Sequence, residues 1–254
     1  MFVIGLLLFP PVWYLFHALT GRRAHPLIRG GAVIAIIAVM GLLEEYGDRL
    51  GIDMRPQAGP STNSEALLEA SRQGIALYRA GRYGEALPLY EEALRLSRLE
   101  KGPEHVTTAV MLDNIAMLHS ARGRFSDAER SNLRALEIFE NALGSDHPDV
   151  ATSLNNLGRV YYSQGRYATA ETQMTRALAI REKTLGPDHP DTAIVLDNLA
   201  LVHADQGHFA KSERLNRRAL NIFEKARGPD HIDVAKSLNN LALQYSAQGR
   251  YAAA

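Results

Sequence analysis

From about residue 106 onward, apolar and polar positions follow a helical spacing, and the pattern renews itself with a 42-residue period. Leu112, Leu154, Leu196 and Leu238 form one apolar column, Ile115, Leu157, Leu199 and Leu241 a second, and Ala116, Gly158, Ala200 and Ala242 a third. Positions three and four apart share one face of a helix, so each set predicts a first helix with one apolar stripe. Gly81-Arg82-Tyr83, Gly123-Arg124-Phe125, Gly165-Arg166-Tyr167, Gly207-His208-Phe209 and Gly249-Arg250-Tyr251 recur at the same interval. Glycine accepts the left-handed conformation that closes a helix, so these are helix ends.

A second helix is predicted after each turn. It carries Ala86, Ala128, Ala170 and Ser212, and seven residues later Ala93, Ala135, Ala177 and Ala219, small enough for backbones to approach closely. It stops at Gly102, Gly144, Gly186 and Gly228. The loops that follow, GPEH, GSDHPD, GPDHPD and GPDHID, place an acidic residue where it can cap the next helix and, in two of them, proline where it suits the first turn. Two helices per unit at a fixed period of this size signal a solenoid of stacked units.

Upstream the pattern changes. Residues 2–19, FVIGLLLFPPVWYLFHAL, carry no formal charge and meet the length of a membrane span, although Pro10 and Pro11 would kink it. The run 31–43, GAVIAIIAVMGLL, is short for a span and reaches a workable length only if its helix starts near Pro26. As the core of a signal peptide, 31–43 fits less well: another apolar stretch precedes it, and no small-x-small cleavage site follows Met40 before Glu44. The expectation is a membrane hairpin over 1–43, with spans at about 2–19 and 26–43 in the lipid bilayer and a basic turn over 20–30. Residues 44–63, rich in Gly, Pro and small polar residues, follow as a linker, and the array occupies 64–254.

Charge orients the hairpin. The chain of 254 residues has 28 basic and 28 acidic residues, but the first 43 hold Arg22, Arg23 and Arg29 and no acid, leaving 25 basic against 28 acidic beyond them. By the positive-inside rule the arginine turn faces the cytoplasm, so the array is expected on the non-cytoplasmic side, in a bacterium the periplasmic face of the inner membrane. The chain has no cysteine, which excludes disulfides, Cys-based zinc sites and thiol nucleophiles, and it lacks the basic excess of a nucleic-acid binder.

Helix pairs with small residues at packing positions and a Gly-x-aromatic turn resemble tetratricopeptide repeats. The 42-residue period, SLNNLG at 153–158, SLNNLA at 237–242, QGRY at 164–167 and 248–251 and LGPDHPD at 185–191 resemble the kinesin-light-chain type of that family. The resemblance covers about 64–254. It departs in the first unit, where ASRQGIA at 70–76 replaces the LNNLA phrase, and at Tyr251, where a second helix should begin. It implies an all-α, right-handed solenoid of about four and a half units, the fifth cut off. The first helices would line a concave groove that binds extended peptides or helices of partner proteins.

The most regular polar column is Asn114, Asn156, Asn198 and Asn240, beside Asp113, Asn155, Asp197 and Asn239. An Asn offers both a donor and an acceptor, so a ladder of them can pair with the backbone of a bound strand, or else bond a neighbouring unit and set the stacking. The Asp113 column is expected to face the groove. Arg159 and Tyr162, one turn along in the third unit, form a candidate anchor, since Arg and Tyr are favoured at binding hot spots. His105, His147, His189 and His231 recur in the loops too far apart to share a metal ion, and are expected to serve the loops and caps. His119 and His203, in the column of Tyr161 and Tyr245, are expected to pack. No nucleophile with an oxyanion hole and no phosphate-binding loop accompanies them, so neither cofactor nor catalysis is expected.

Two functions follow. One is a membrane-anchored, non-enzymatic scaffold that captures a protein or peptide in the groove. The alternative is the sensor part of a longer enzyme or signalling protein whose catalytic domain lies beyond Ala254. The first helix of the fifth unit, expected at about 232–247, would leave an outer face open, a route to self-association.

Overall fold

The structure, a computed structural model, describes residues 62–250. The two expected spans, the arginine turn and nearly all of the linker lie outside the described residues, as do 251–254. No described helix is long and apolar enough to cross a membrane.

The described residues form nine α-helices in consecutive hairpins: α1 (Thr62–Arg79), α2 (Tyr83–Glu100), α3 (Val106–Ala121), α4 (Phe125–Leu143), α5 (Pro148–Ser163), α6 (Tyr167–Thr184), α7 (Pro190–Asp205), α8 (Phe209–Arg227) and α9 (Ile232–Ala247). Odd-numbered helices are the first helices of the units and even-numbered ones the second. Each hairpin packs internally and onto the next, and first helices of adjacent units also touch.

The glycine turns close the hairpins as their spacing predicts, with φ between 69° and 78° from Gly81 to Gly249. The residue after glycine donates its amide back into the first helix, as Arg166 does to the Tyr161 carbonyl at 2.9 Å. Between units the cap falls to the loop histidine, as expected of it, and not to the acidic residues of the loops. The side chains of His105, His147, His189 and His231 accept from the amide two residues on, at 3.1–3.2 Å. The imidazole Nδ1 does there what an Asp or Ser oxygen does at an ordinary N-cap.

The alanine columns of the second helices are fully buried and let the paired helices approach closely, while Leu154, Leu157, Ile138 and Phe139 fill the space between units. Ser212, the one polar member of those columns, is also fully buried, and its hydroxyl meets the Ala200 carbonyl at 2.7 Å and Gln244 Oε1 at 3.1 Å. Leu238 is 49% exposed where Leu112, Leu154 and Leu196 are buried, because no described helix packs over that side of α9.

A second, longer period overlies the first. The second helices alternate between 18 residues (α2, α6) and 19 residues (α4, α8), ending respectively on Lys101 or Leu185 in right-handed conformation and on Gly144 or Gly228 at positive φ. After the shorter helices, Thr108 and Thr192 bond the Gly102 and Gly186 carbonyls at 2.8 and 2.9 Å; after the longer ones Val150 and Val234 occupy that position. Arg166 lies 4.2 Å over the Tyr161 ring and pairs with Glu129, and Arg250 lies 4.5 Å over Tyr245 and pairs with Glu213. Every one of these features returns at the second unit along and not at the next, so the units alternate between two kinds with an 84-residue period.

Candidate partner-binding groove

Each first helix turns one stripe, at spacings of four and three, away from the second helices. In α3 the stripe reads Val110, Asn114, Met117; in α5 Thr152, Asn156, Arg159; in α7 Ile194, Asn198, Leu201; in α9 Lys236, Asn240, Leu243. Side by side these stripes form two mainly apolar lanes with an Asn ladder between them. Leu68 and Ile75 of α1 continue the lanes and are exposed. Arg159 interrupts the second lane at its middle.

The ten residues singled out from the sequence divide into two groups. Asn114, Asn156, Asn198 and Asn240 are half-buried along the stripe, and Arg159 is exposed on it. Of the four asparagines only Asn198 bonds a neighbouring unit, donating from Nδ2 to Asn155 Oδ1 at 2.9 Å. Asn114, Asn156, Asn240 and Arg159 have no side-chain hydrogen-bond or ion-pair partner among the described residues. Tyr162 is half-buried and donates its hydroxyl to Asp205 of the next unit at 2.7 Å, and burial together with that carboxylate raises its pKa.

The second group corrects an expectation. Asp113 and Asn155 do not face the groove; both are buried. One residue along a helix is a rotation of about 100°, enough to turn them from the groove into the contact with the next first helix. There Asp113 Oδ2 accepts from the Ser153 hydroxyl at 2.5 Å, and Asp197, half-buried, accepts from Ser237. The partners are matched in kind: Asp where the next unit supplies Ser, and Asn155 where Asn198 donates its amide. Burial pushes the Asp113 carboxyl up to about 7 and Asp197 up to about 6. Asn239, which no described helix covers, is exposed.

Two cavities open along the stripe. The first, about 270 Å³, lies among Tyr78, Met117, Asn132, Asn156 and Arg159. Asn132 is almost fully buried and its Oδ1 has no partner, so an unused acceptor stands at this cavity. The second, about 540 Å³, lies among Arg159, Tyr162, Ile194, Leu201, Lys236 and Asn240. Its charges are balanced, since Lys236 pairs with Asp233 at 3.1 Å and Asp197 also borders it. Arg159 borders both.

His119 and His203 are buried in packing positions, as expected, and burial lowers the pKa of each. No group of three or more His, Asp or Glu placed to hold a metal ion occurs among the described residues. The sequence shows the column of Met117, Arg159, Leu201 and Leu243 on this face, but sequence reasoning missed the lane of Val110 and Ile194, the unpaired Asn132 acceptor and Lys236. The 84-residue alternation was the available signal, since it sets the Val110 and Ile194 type of unit apart from the Thr152 and Lys236 type.

Tetratricopeptide repeat models match residues 150–191 in one case and 65–141 and 198–254 in another. No curated protein matches the chain. Among solved structures, BtubC (BKLC) from P. vanneervenii is similar in fold, with a TM-score of 0.64 and 22% identity over 85% of this chain and 84% of that one. A Podosopora anserina protein described as a putative kinesin light chain with nearly identical TPR-like repeats is similar as well, with a TM-score of 0.59 and 24% identity over 76% of this chain and 90% of that one. At these identities the likeness speaks for the fold alone.

Proposed function

Because the chain belongs to the tetratricopeptide repeat family, whose arrays are protein–protein interaction scaffolds, we propose that its groove captures an extended segment of a partner protein around Arg159. One observation carries this reading: Arg159 stands exposed between two cavities without a carboxylate of its own, beside Asn156, whose amide is also unpaired. An Arg held open on a half-apolar surface suits an acidic group of a ligand, and free Asn amides suit its backbone.

The test places a photocrosslinking residue at Met117 in the groove and, as control, at exposed Leu133 on α4. A partner is expected to be trapped from Met117 and not from Leu133, and to be lost in a folded Arg159→Glu/Asn156→Ala variant. Equal trapping from both sites, or trapping untouched by the double substitution, would count against the groove.

We propose further that residues 2–43 anchor the chain in a bilayer with the array on the non-cytoplasmic side. The support is the uncharged run 2–19 and the three arginines gathered between the two apolar stretches. Since the chain has no cysteine, a single Ser246→Cys probe reports topology: it should react with a membrane-impermeant thiol reagent in spheroplasts, and protection until lysis would refute the orientation.

A further inference from the structure

The two cavities share three corresponding lining positions. Tyr78 and Tyr162, Met117 and Leu201, and Asn156 and Asn240 hold corresponding places in them, each pair related by the 84-residue period. The aromatic setting repeats as well: Tyr78 meets Tyr83 at 5.4 Å between ring centroids and 52° between planes, and Tyr162 meets Tyr167 at 5.8 Å and 51°. Each cavity therefore combines a tyrosine from one unit, an apolar side chain from the next and an Asn amide from the third. Unit alternation makes this trio recur at every second unit, while the rest of the lining differs.

Resting on the groove reading above, we infer that the groove binds a segment with two apolar side chains in a fixed register, one per cavity, and a carboxylate between them at Arg159. Packed helices lie about 8–10 Å apart, and first helices of adjacent units are in contact, so equivalent points two units apart are separated by about 16–20 Å. An extended chain advances about 3.3 Å per residue, which sets the two apolar residues five or six positions apart. Arg159 borders both cavities, so the acidic residue belongs near the midpoint. A helical segment, at about 1.5 Å per residue, would cover less than half that distance with the same spacing. Two weak anchors on one segment gain from effective concentration only when the linker spans the sites, so spacing is the diagnostic quantity.

The test uses the full chain and fluorescein-labelled Gly/Ser peptides with one central Asp and two leucines placed two, five, six or ten residues apart, together with a single-leucine peptide, read by fluorescence polarisation. Affinity is expected to peak at five or six residues, at least tenfold above the single-leucine peptide. Met117→Asp and Leu201→Asp should each reduce that peptide to the single-leucine level. Binding independent of spacing, or sensitivity to only one of the two substitutions, would overturn the paired register and leave groove capture standing. Failure of every peptide to bind would overturn it too, with groove capture then judged by its own crosslinking result.

Discussion

Gly158 of α5 lies so close to Met174 of α6 that a Cβ at position 158 would stand 2.6 Å from the Met174 Cγ and 3.3 Å from the Ala170 carbonyl oxygen. The same pairing of a missing Cβ with a long side chain occurs at Gly74, where Tyr90 Cε2 would be met at 2.9 Å. In the intervening units the columns hold Ala116 with Asn132 and Ala200 with Asn216. Glycine goes with the long partner and alanine with the short one.

Gly158→Ala would therefore do opposite things in two backgrounds. Alanine favours a helix interior over glycine by about 1 kcal/mol, but overpacking costs about 1–3 kcal/mol. Against Met174 the clash wins, and a net loss of about 1 kcal/mol is expected in urea unfolding. In a Met174→Asn background the clash is gone and the same change should stabilise. An effect of the same sign in both backgrounds would mean that the match between the two columns has no energetic content.

The caps allow a comparison between two residues of one loop. His147→Ala removes the acceptor for the Asp149 amide and should cost about 1 kcal/mol, whereas His147→Asn retains an acceptor and should lose less than half of that. Asp146, which the loop composition offered as a cap, pairs with Lys183 at the surface, so Asp146→Ala should change stability by less than about 0.5 kcal/mol. A larger loss at Asp146 than at His147 would reverse the assignment.

Most of the solenoid could be read from its period. The glycine turns, the buried alanine columns and α9 fall where the 42-residue interval places them, because backbone conformation and close helix approach constrain residue type strongly. Asp113 shows what the interval could not supply. Its orientation depends on how far the next unit is rotated, and that rotation follows from contacts such as Asp113 with Ser153 that couple two units. Columns taken one at a time do not contain it. The match of Asp113 to Ser153, of Asn155 to Asn198 and of Asp197 to Ser237 was present in the sequence, but only as pairs that join one unit to the next.

Ser212 and Gln244 form another such pair. The column of Gln244 otherwise holds Leu118, Val160 and Val202, so a buried amide there needs partners, and it finds the Ser212 hydroxyl and the Phe209 carbonyl. Ser212→Ala leaves Gln244 Oε1 buried without a donor and should cost about 1–3 kcal/mol. Adding Gln244→Val should recover most of that loss, since both polar groups are then gone. A double variant no more stable than Ser212→Ala alone would show that the pair is not coupled.

The buried Asp113 carboxyl makes a prediction with a definite sign. Its pKa in the folded array, pushed up to about 7 by burial and further by the nearby Asp149 carboxylate, lies above the value of about 3.9 expected in an unfolded chain. The folded state thus holds the proton more tightly. That stabilisation is complete below about pH 4 and is lost as pH rises through about 7, because Ser153 satisfies Oδ2 while Oδ1 has no partner to compensate its charge. Asp197 acts in the same direction up to about pH 6. Asp113→Asn, which places there the residue that Asn155 supplies one unit later, removes the charge and keeps an acceptor for Ser153. Relative to the parent chain the variant should be nearly neutral at pH 4 and more stable by about 1–3 kcal/mol at pH 8, as measured by denaturant unfolding at both values. A difference that stays flat between them would mean that the carboxylate is stabilised in place as an anion, and the 84-residue alternation of Asp with Asn would then need a cause other than charge burial.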